Sequence, residues 1–208
     1  MHRVLFFLKR RADLDRPAFH RWWLEQHRPL AAKLPGLRRY VISLAVDADD
    51  QPFDGAAELW FDDQAAEQAA FASEAGRAAR ADRQAHAARC ERLAVVEHHF
   101  LDRGAGARFK LMATLKRRAD LSRAEFKRWW LERHAPMVMR FPELSRYQVN
   151  LVEHGEETFA DGVPEVCFDD LATLLRVMGS AQVKTVQQDS VAHAVAITRM
   201  FVEENRVI

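Results

Sequence analysis

The chain has 208 residues, a formal net charge of +1, 49% hydrophobic and 29% charged residues, the balance of an ordinary soluble globular protein. So small a net charge gives no electrostatic reason to expect a nucleic-acid or membrane partner. Cys90 and Cys167 are the only cysteines, too few for a disulfide framework or a zinc pattern. No stretch is apolar for long enough to span a bilayer as a helix, and the apolar start is too short for a signal sequence; the expected location is the cytoplasm.

The first element is Val4 to Leu8, an apolar run bounded by charge that reads as a buried strand. It runs into Leu8-Lys9-Arg10-Arg11-Ala12-Asp13-Leu14, which recurs letter for letter as Leu115 to Leu121, an offset of 107 residues. The basic run is either a phosphate-binding patch or, as the small overall charge favours, a solvated strand end. A helix follows, capped by Asp15 with Pro17 in its first turn. In the second copy Ser122 and Glu125 form a capping box. Phe19, Trp23, His27, Leu30 and Leu34 then recur at helical spacing, and Phe126, Trp130, His134, Met137 and Phe141 repeat the stripe. Pro29 and Pro136 follow each histidine by two residues and predict a kink there.

Arg39 to Val46 alternates as a second strand, and a polar loop runs from Asp47 to Asp54. Ala57 to Phe61 is the third strand, and Asp62-Asp63 caps an Ala- and Arg-rich helical segment reaching about Arg89. Leu93 to Leu101 is the fourth strand, with Ala194 to Val202 as its counterpart. The order strand, helix, strand, strand, helix, strand, stated twice, predicts an α+β protein of two ferredoxin-like βαββαβ repeats. The first repeat is placed at 1–103, a small-residue linker at 104–107 and the second repeat at 108–208. Each sheet on its own would leave an apolar face bare, so the repeats are expected to pair into one intrachain, pseudo-dimeric α/β barrel.

Residues kept in both copies are the candidates for function. His27 and His134 lie in the middle of an apolar stripe; each is either an acid/base for a small substrate or a core histidine bonded to a carbonyl freed by the proline. Tyr40 and Tyr147, the only tyrosines, either hold an oxyanion or are satisfied core groups. Glu58 and Glu165 sit within a strand, where an ion pair with Arg39 or Arg146 competes with a catalytic or substrate-binding role. Trp23 and Trp130, with Trp22 and Trp129, wall a pocket or fill the core. Asp82 with His86, and Asp189 with His193, share an i, i+4 spacing that reads as structural. Cys167 is a weak further candidate. His98 and His99 are neighbours on a strand and cannot chelate one metal together. No repeated metal-ligand cluster is present, and neither a metal nor a cofactor is expected.

Leu-Lys-Arg before a capped helix with Phe-x-x-Trp-Trp, then His-x-Pro, then Pro-x-Leu-x-Arg-Tyr, resembles the EthD-type dimeric α/β barrel proteins over nearly the whole of both copies. Members are usually single domains that dimerise, so this chain resembles a fused pair. Relatives include lactone methyl-isomerases and fungal polyketide dehydratases or decarboxylases. The wider superfamily includes cofactor-free monooxygenases, haem-degrading enzymes and muconolactone isomerases. In the isomerase relatives the histidine of His-x-Pro acts in the active site, a role that would fall on His27 and His134; His134-Ala135-Pro136 is closer to the family pattern than His27-Arg28-Pro29. The resemblance implies a small hydrophobic, aromatic or polyketide-type metabolite as partner and cofactor-free isomerase, dehydratase or lyase chemistry. A non-catalytic ligand binder, an accessory to an oxidoreductase and a cofactor-free monooxygenase remain as alternatives. The chain is expected to act as a monomeric pseudo-dimer or as a homodimer.

Overall fold

The structure, a computed structural model, describes residues 1–46, 51–104, 106–152, 154–155 and 157–208. Positions 47–50 of the expected polar loop and Ala105 of the expected linker lie outside the described residues. Both copies fold as ferredoxin-like βαββαβ repeats with antiparallel sheets. Among the described residues, no helix is long and apolar enough to cross a membrane.

The chain forms two compact units, Met1–Ala94 with Glu204–Ile208, and Val95–Glu203. In the first unit, β1 (His2–Arg10), β2 (Arg39–Ala45) and β3 (Gly55–Phe61) form a sheet with β3 in the middle. Val207 N, from the chain's end, donates to Tyr40 O at 2.9 Å. Alternation sends Val4, Phe6, Leu8, Tyr40, Ile42, Ala57, Leu59 and Phe61 to one core with Phe19, Trp22 and Trp23. The helices of this unit are α1 (Arg16–Trp22), α2 (Arg28–Ala31), α3 (Gln64–Ala72) and α4 (Glu74–His86). The long helix expected after Asp63 is thus two helices. Ser73 breaks it, because its extended backbone and its hydroxyl, which accepts from Gly76 N at 3.1 Å, start α4 afresh.

In the second unit, β5 (Phe109–Arg117) lies between β7 (Gly162–Phe168) and β8 (Ala194–Arg206), and β6 (Arg146–Leu151) lies between β7 and the latter half of β4 (Ala87–Asp102). Its helices are α5 (Arg123–Trp129), α6 (Ala135–Val138), α7 (Leu171–Met178) and α8 (Ala181–His193). The Ser122–Glu125 capping box forms as expected. Both β4 and β8 run longer than their apolar cores suggested, and repeats in sequence and compact units in space are different partitions of the chain.

The basic run has a structural use. Asp54 is fully buried, accepts from Arg10 N at 2.9 Å, and is paired with the Arg10 guanidinium and with Arg16 Nε at 3.4 Å. Asp161 repeats this with Arg117 N at 3.0 Å, the Arg117 guanidinium at 2.5 Å and Lys116 Nζ at 3.2 Å. Arg10, Lys116 and Arg117 are thus committed to buried carboxylates, while Arg11 and Arg118 stay solvated beside Asp13 and Asp120. The glycine after Asp161 is required by packing: a Cβ at Gly162 would stand 2.5 Å from Trp130 Cζ3.

Candidate functional site

In each repeat the helix that follows the first strand widens before its proline. Trp23–His27 and Trp130–His134 are π-helical turns, and Arg28 N bonds back to Trp23 O as Ala135 N does to Trp130 O. The cause is local. Proline cannot donate to the carbonyl four residues back and its ring crowds that carbonyl, so the preceding turn takes one extra residue. The expected kink is therefore a π-bulge, and the histidine is its last residue, buried together with the tryptophan that opens it.

The bulge aims each histidine at the second long helix of its own unit. His27 Nδ1 lies 2.8 Å from Asp82 Oδ2, and His134 Nδ1 lies 2.7 Å from Asp189 Oδ2. The same carboxylates accept from Trp22 Nε1 at 3.2 Å and Trp129 Nε1 at 3.1 Å. One turn on, His86 and His193 bond by Nδ1 to the backbone oxygens of Asp82 and Asp189, each at 2.8 Å, and stack on Trp22 and Trp129 at 4.4 and 4.3 Å between ring centres. The structural alternative paired each histidine with a freed carbonyl; the partner is a carboxylate. A carboxylate acceptor assigns the imidazole proton to Nδ1 and leaves Nε2 as the basic nitrogen. Burial pushes both imidazoles below the usual histidine value of 6.5, against the pull of Asp82 and Asp189 in the other direction, so both are neutral at pH 7.

The cavities beside the two histidines differ in size. In the second unit His134 and Ser190 line a cavity of about 270 Å³ with Ala113, Val138, Phe141, Val186 and other apolar groups. Ser190 Oγ is 3.4 Å from His134 Nε2. In the first unit only about 30 Å³ remains beside His27. Two substitutions between the copies account for the difference. Phe6 stands where the second unit has Ala113, and Arg83 where it has Ser190. The Arg83 guanidinium lies over the Phe6 ring at 5.5 Å, and Phe6 packs edge-on to Phe71 at 5.5 Å, so the first chamber is filled.

Arg199 also lines the second cavity. Its counterpart Arg92 is held by Glu67, with Nη2 2.6 Å from each carboxylate oxygen. Leu174 occupies the place of Glu67 in the second unit, and among the described residues Arg199 has no carboxylate within 4.0 Å.

The other candidates fall elsewhere. Tyr40 and Tyr147 are fully buried on the helix side of their sheets, where their hydroxyls find no hydrogen-bond partner of normal geometry among the described residues; burial raises both phenols far above their usual value, against a smaller opposing pull from Trp23 and Trp130. Tyr40 and Trp23 line the filled first cavity, whereas Tyr147 and Trp130 do not line the second, and Tyr147 stacks on Phe100 at 5.4 Å. Glu58 and Glu165 alternate out of the helix-facing set, so they lie on the opposite face of the sheet from the histidines. Glu58 binds Arg3 Nη2 at 2.5 Å and Ser43 Oγ at 2.7 Å, while Arg39, its expected partner, stacks on Trp60. Glu165 binds Lys110 Nζ at 2.7 Å, Gln148 Nε2 at 2.8 Å and Asn150 Nδ2 at 3.0 Å. The ion pairs described for these glutamates come from the first strand of each repeat, a pairing that the separation of 55 residues concealed. Cys167 shares the face of Glu165. Among the described residues, no group of three His, Cys, Asp or Glu side chains is placed to hold a metal.

Burial of neutral histidines has a measurable consequence. His20, His27 and His134 all have values lowered by burial, so below about pH 6.5 the unfolded chain binds more protons than the folded one. Stability is therefore undiminished above that pH and falls as the solution is acidified towards the lower folded values. Thermal melts from pH 7.5 to 5 are expected to show a falling Tm, with a shallower fall in His27→Gln; equal slopes would contradict the burial account.

Two ferredoxin-like repeats, each with a histidine on a π-bulged helix paired to an aspartate on a later helix, define a tandem α+β protein with one open and one filled chamber. The chain belongs to the EthD family: the EthD domain matches residues 11–89 and 118–194. No curated protein matches it significantly in sequence. An anthrone oxidase-like protein superposes with a TM-score of 0.74 at 10% identity, over 99% of this chain and 93% of the other. A protein provisionally described as a monooxygenase, from Fusobacterium nucleatum, superposes at 0.64 with 8% identity, over 99% and 93%. A mutant chlorite dismutase from Candidatus Nitrospira defluvii gives 0.59 at 10% identity, over 98% and 91%. At such identities these likenesses speak for the fold alone.

Proposed function

We propose that the second unit binds a small, largely apolar metabolite of aromatic or polyketide type and moves a proton on it with His134, in cofactor-free isomerase, dehydratase or lyase chemistry. The observation that carries this is His134, its Nδ1 held by Asp189 at 2.7 Å, lining an apolar cavity of about 270 Å³. In this reading Nε2 takes the proton, Asp189 stabilises the imidazolium that forms, and Asp189 in turn is fixed by Trp129. Arg199 supplies the positive charge for a carboxylate, phenolate or developing enolate at the cavity wall. Arg199→Gln is expected to raise KM about tenfold, the loss of one charged contact, with a smaller change in kcat.

The test is a panel of lactones, hydroxylated aromatics and polyketide-like enols offered to the protein and to His134→Asn. Binding without turnover, unchanged in the variant, would instead mark a ligand carrier. A second reading is favoured by the anthrone oxidase-like and monooxygenase-like neighbours. The same base would generate a phenolate or enolate, the form of a quinol-type compound that reacts with oxygen. Oxygen uptake during turnover selects this reading, and turnover without uptake selects the isomerase or lyase.

A further inference from the structure

Where the first unit has lost its apolar chamber it has gained charge. Outside the filled cavity lies an open groove of about 900 Å³, floored by Phe6 and Phe71 and edged by Arg77, Arg80 and Arg83. The three arginines follow one another at intervals of three along α4, so they share one side of the helix. The rise from the first to the last is about 9 Å, at 1.5 Å per residue.

These charges are poorly compensated. Among the described residues Glu67 is the one carboxylate lining the groove, and it is committed to Arg92 at 2.6 Å and to His2 Nε2 at 2.8 Å. Arg77 donates to Ala72 O at 2.6 Å, and Arg83 lies over Phe6. Among the described residues, neither Arg80 nor Arg83 has a carboxylate within 4.0 Å. Like charges on successive turns of a helix repel, and for Arg80 and Arg83 no carboxylate among the described residues offsets that cost. The cluster also belongs to this unit alone: Lys184, Gln187 and Ser190 occupy the same places in the second copy, where Gln187 and Ser190 line the apolar cavity. A chain whose formal net charge is only +1 has concentrated three guanidinium groups on one groove.

We propose that this groove is a binding site for a small molecule carrying two or more phosphates. The row of guanidinium groups suits a string of negative oxygens better than a single carboxylate, since planar guanidinium groups grip phosphate in pairs of hydrogen bonds. The Phe6–Phe71 floor receives the organic part of the ligand, and Gln64, Gln68 and Gln84 at the same groove supply neutral hydrogen bonds. The two units thus divide the labour: an apolar reaction chamber in the second and an anion site in the first. The anion site stands whether or not His134 is a base, because none of its residues belongs to the second unit.

The experiment is isothermal titration of the full-length protein with pyrophosphate and with ADP at low salt. The expected result is one site per chain, ADP binding at least as tightly as pyrophosphate, and affinity falling as salt rises. Arg77→Gln and Arg80→Gln replace exposed side chains, and each is expected to weaken binding about tenfold, the effect of one lost charged contact. Lys184→Gln, at the equivalent place in the second unit, should change nothing. No heat with either probe at millimolar concentration overturns the proposal. So does binding that survives Arg77→Gln/Arg80→Gln in a protein of unchanged circular dichroism, or binding equally weakened by Lys184→Gln.

Discussion

His134→Asn is expected to lower turnover of the second unit's substrate by about 100- to 10,000-fold, the range that a positioned general base contributes, while His27→Asn, beside the filled chamber, leaves it nearly unchanged. Both histidines hold the same carboxylate geometry, so a purely structural role predicts equal effects of the two changes. Unequal effects follow from the chambers, about 270 Å³ beside His134 against about 30 Å³ beside His27. The pH profile carries the same information. Burial lowers the imidazole, so kcat/KM is expected to fall on the acid side with an apparent pKa below 6.5. Asp189 favours the protonated ring, and Asp189→Asn therefore moves that acid limb to still lower pH as it slows the reaction. An acid limb that stays in place in Asp189→Asn would show that another group titrates.

Lys110→Met is expected to destabilise the protein by about 3–5 kcal/mol, because it removes a cation paired with the buried Glu165 carboxylate. Both side chains are 1% exposed, and the Nζ–Oε2 distance is 2.7 Å. Adding Glu165→Gln should restore at least half of the loss: the charge is gone, while an amide oxygen remains to accept from Gln148 and Asn150. Urea unfolding of the two variants checks this. A cost under about 1 kcal/mol for Lys110→Met would mean that the carboxylate is neutral or otherwise compensated. The same pair of variants separates structure from function at Glu165. The glutamate was a candidate for substrate binding in the sequence, but its face of the sheet is turned away from His134.

What could be read in the sequence followed from local rules. Caps at Asp15, Asp63 and Ser122, the alternation of β2 and the letter-for-letter repeat announced the ferredoxin-like units, since each depends on neighbours within a few residues. The proline after each histidine announced a distortion but not its kind. A π-bulge and a kink satisfy the same missing hydrogen bond, and packing selects between them. The Asp82–His86 spacing was visible, yet its meaning was hidden, because the more important partner, His27, lies 55 residues away. Residues shared by both copies include buried groups away from the second cavity, such as Tyr147 and Glu165. The features that set the two sites apart are the positions that differ: Phe6 against Ala113, Glu67 against Leu174, Arg83 against Ser190. A filter for identity discards those.

The sequence by itself determined the repeat, the element order and the presence of a histidine on each apolar stripe, because periodicity and capping act over a turn or two of chain. The tertiary structure alone decided which carboxylate holds each histidine, which cations neutralise Glu58 and Glu165, and which chamber is open. Those depend on distances between segments more than 50 residues apart. They depend also on volume, where one phenyl ring and one guanidinium group in a close-packed interior separate a cavity from a core.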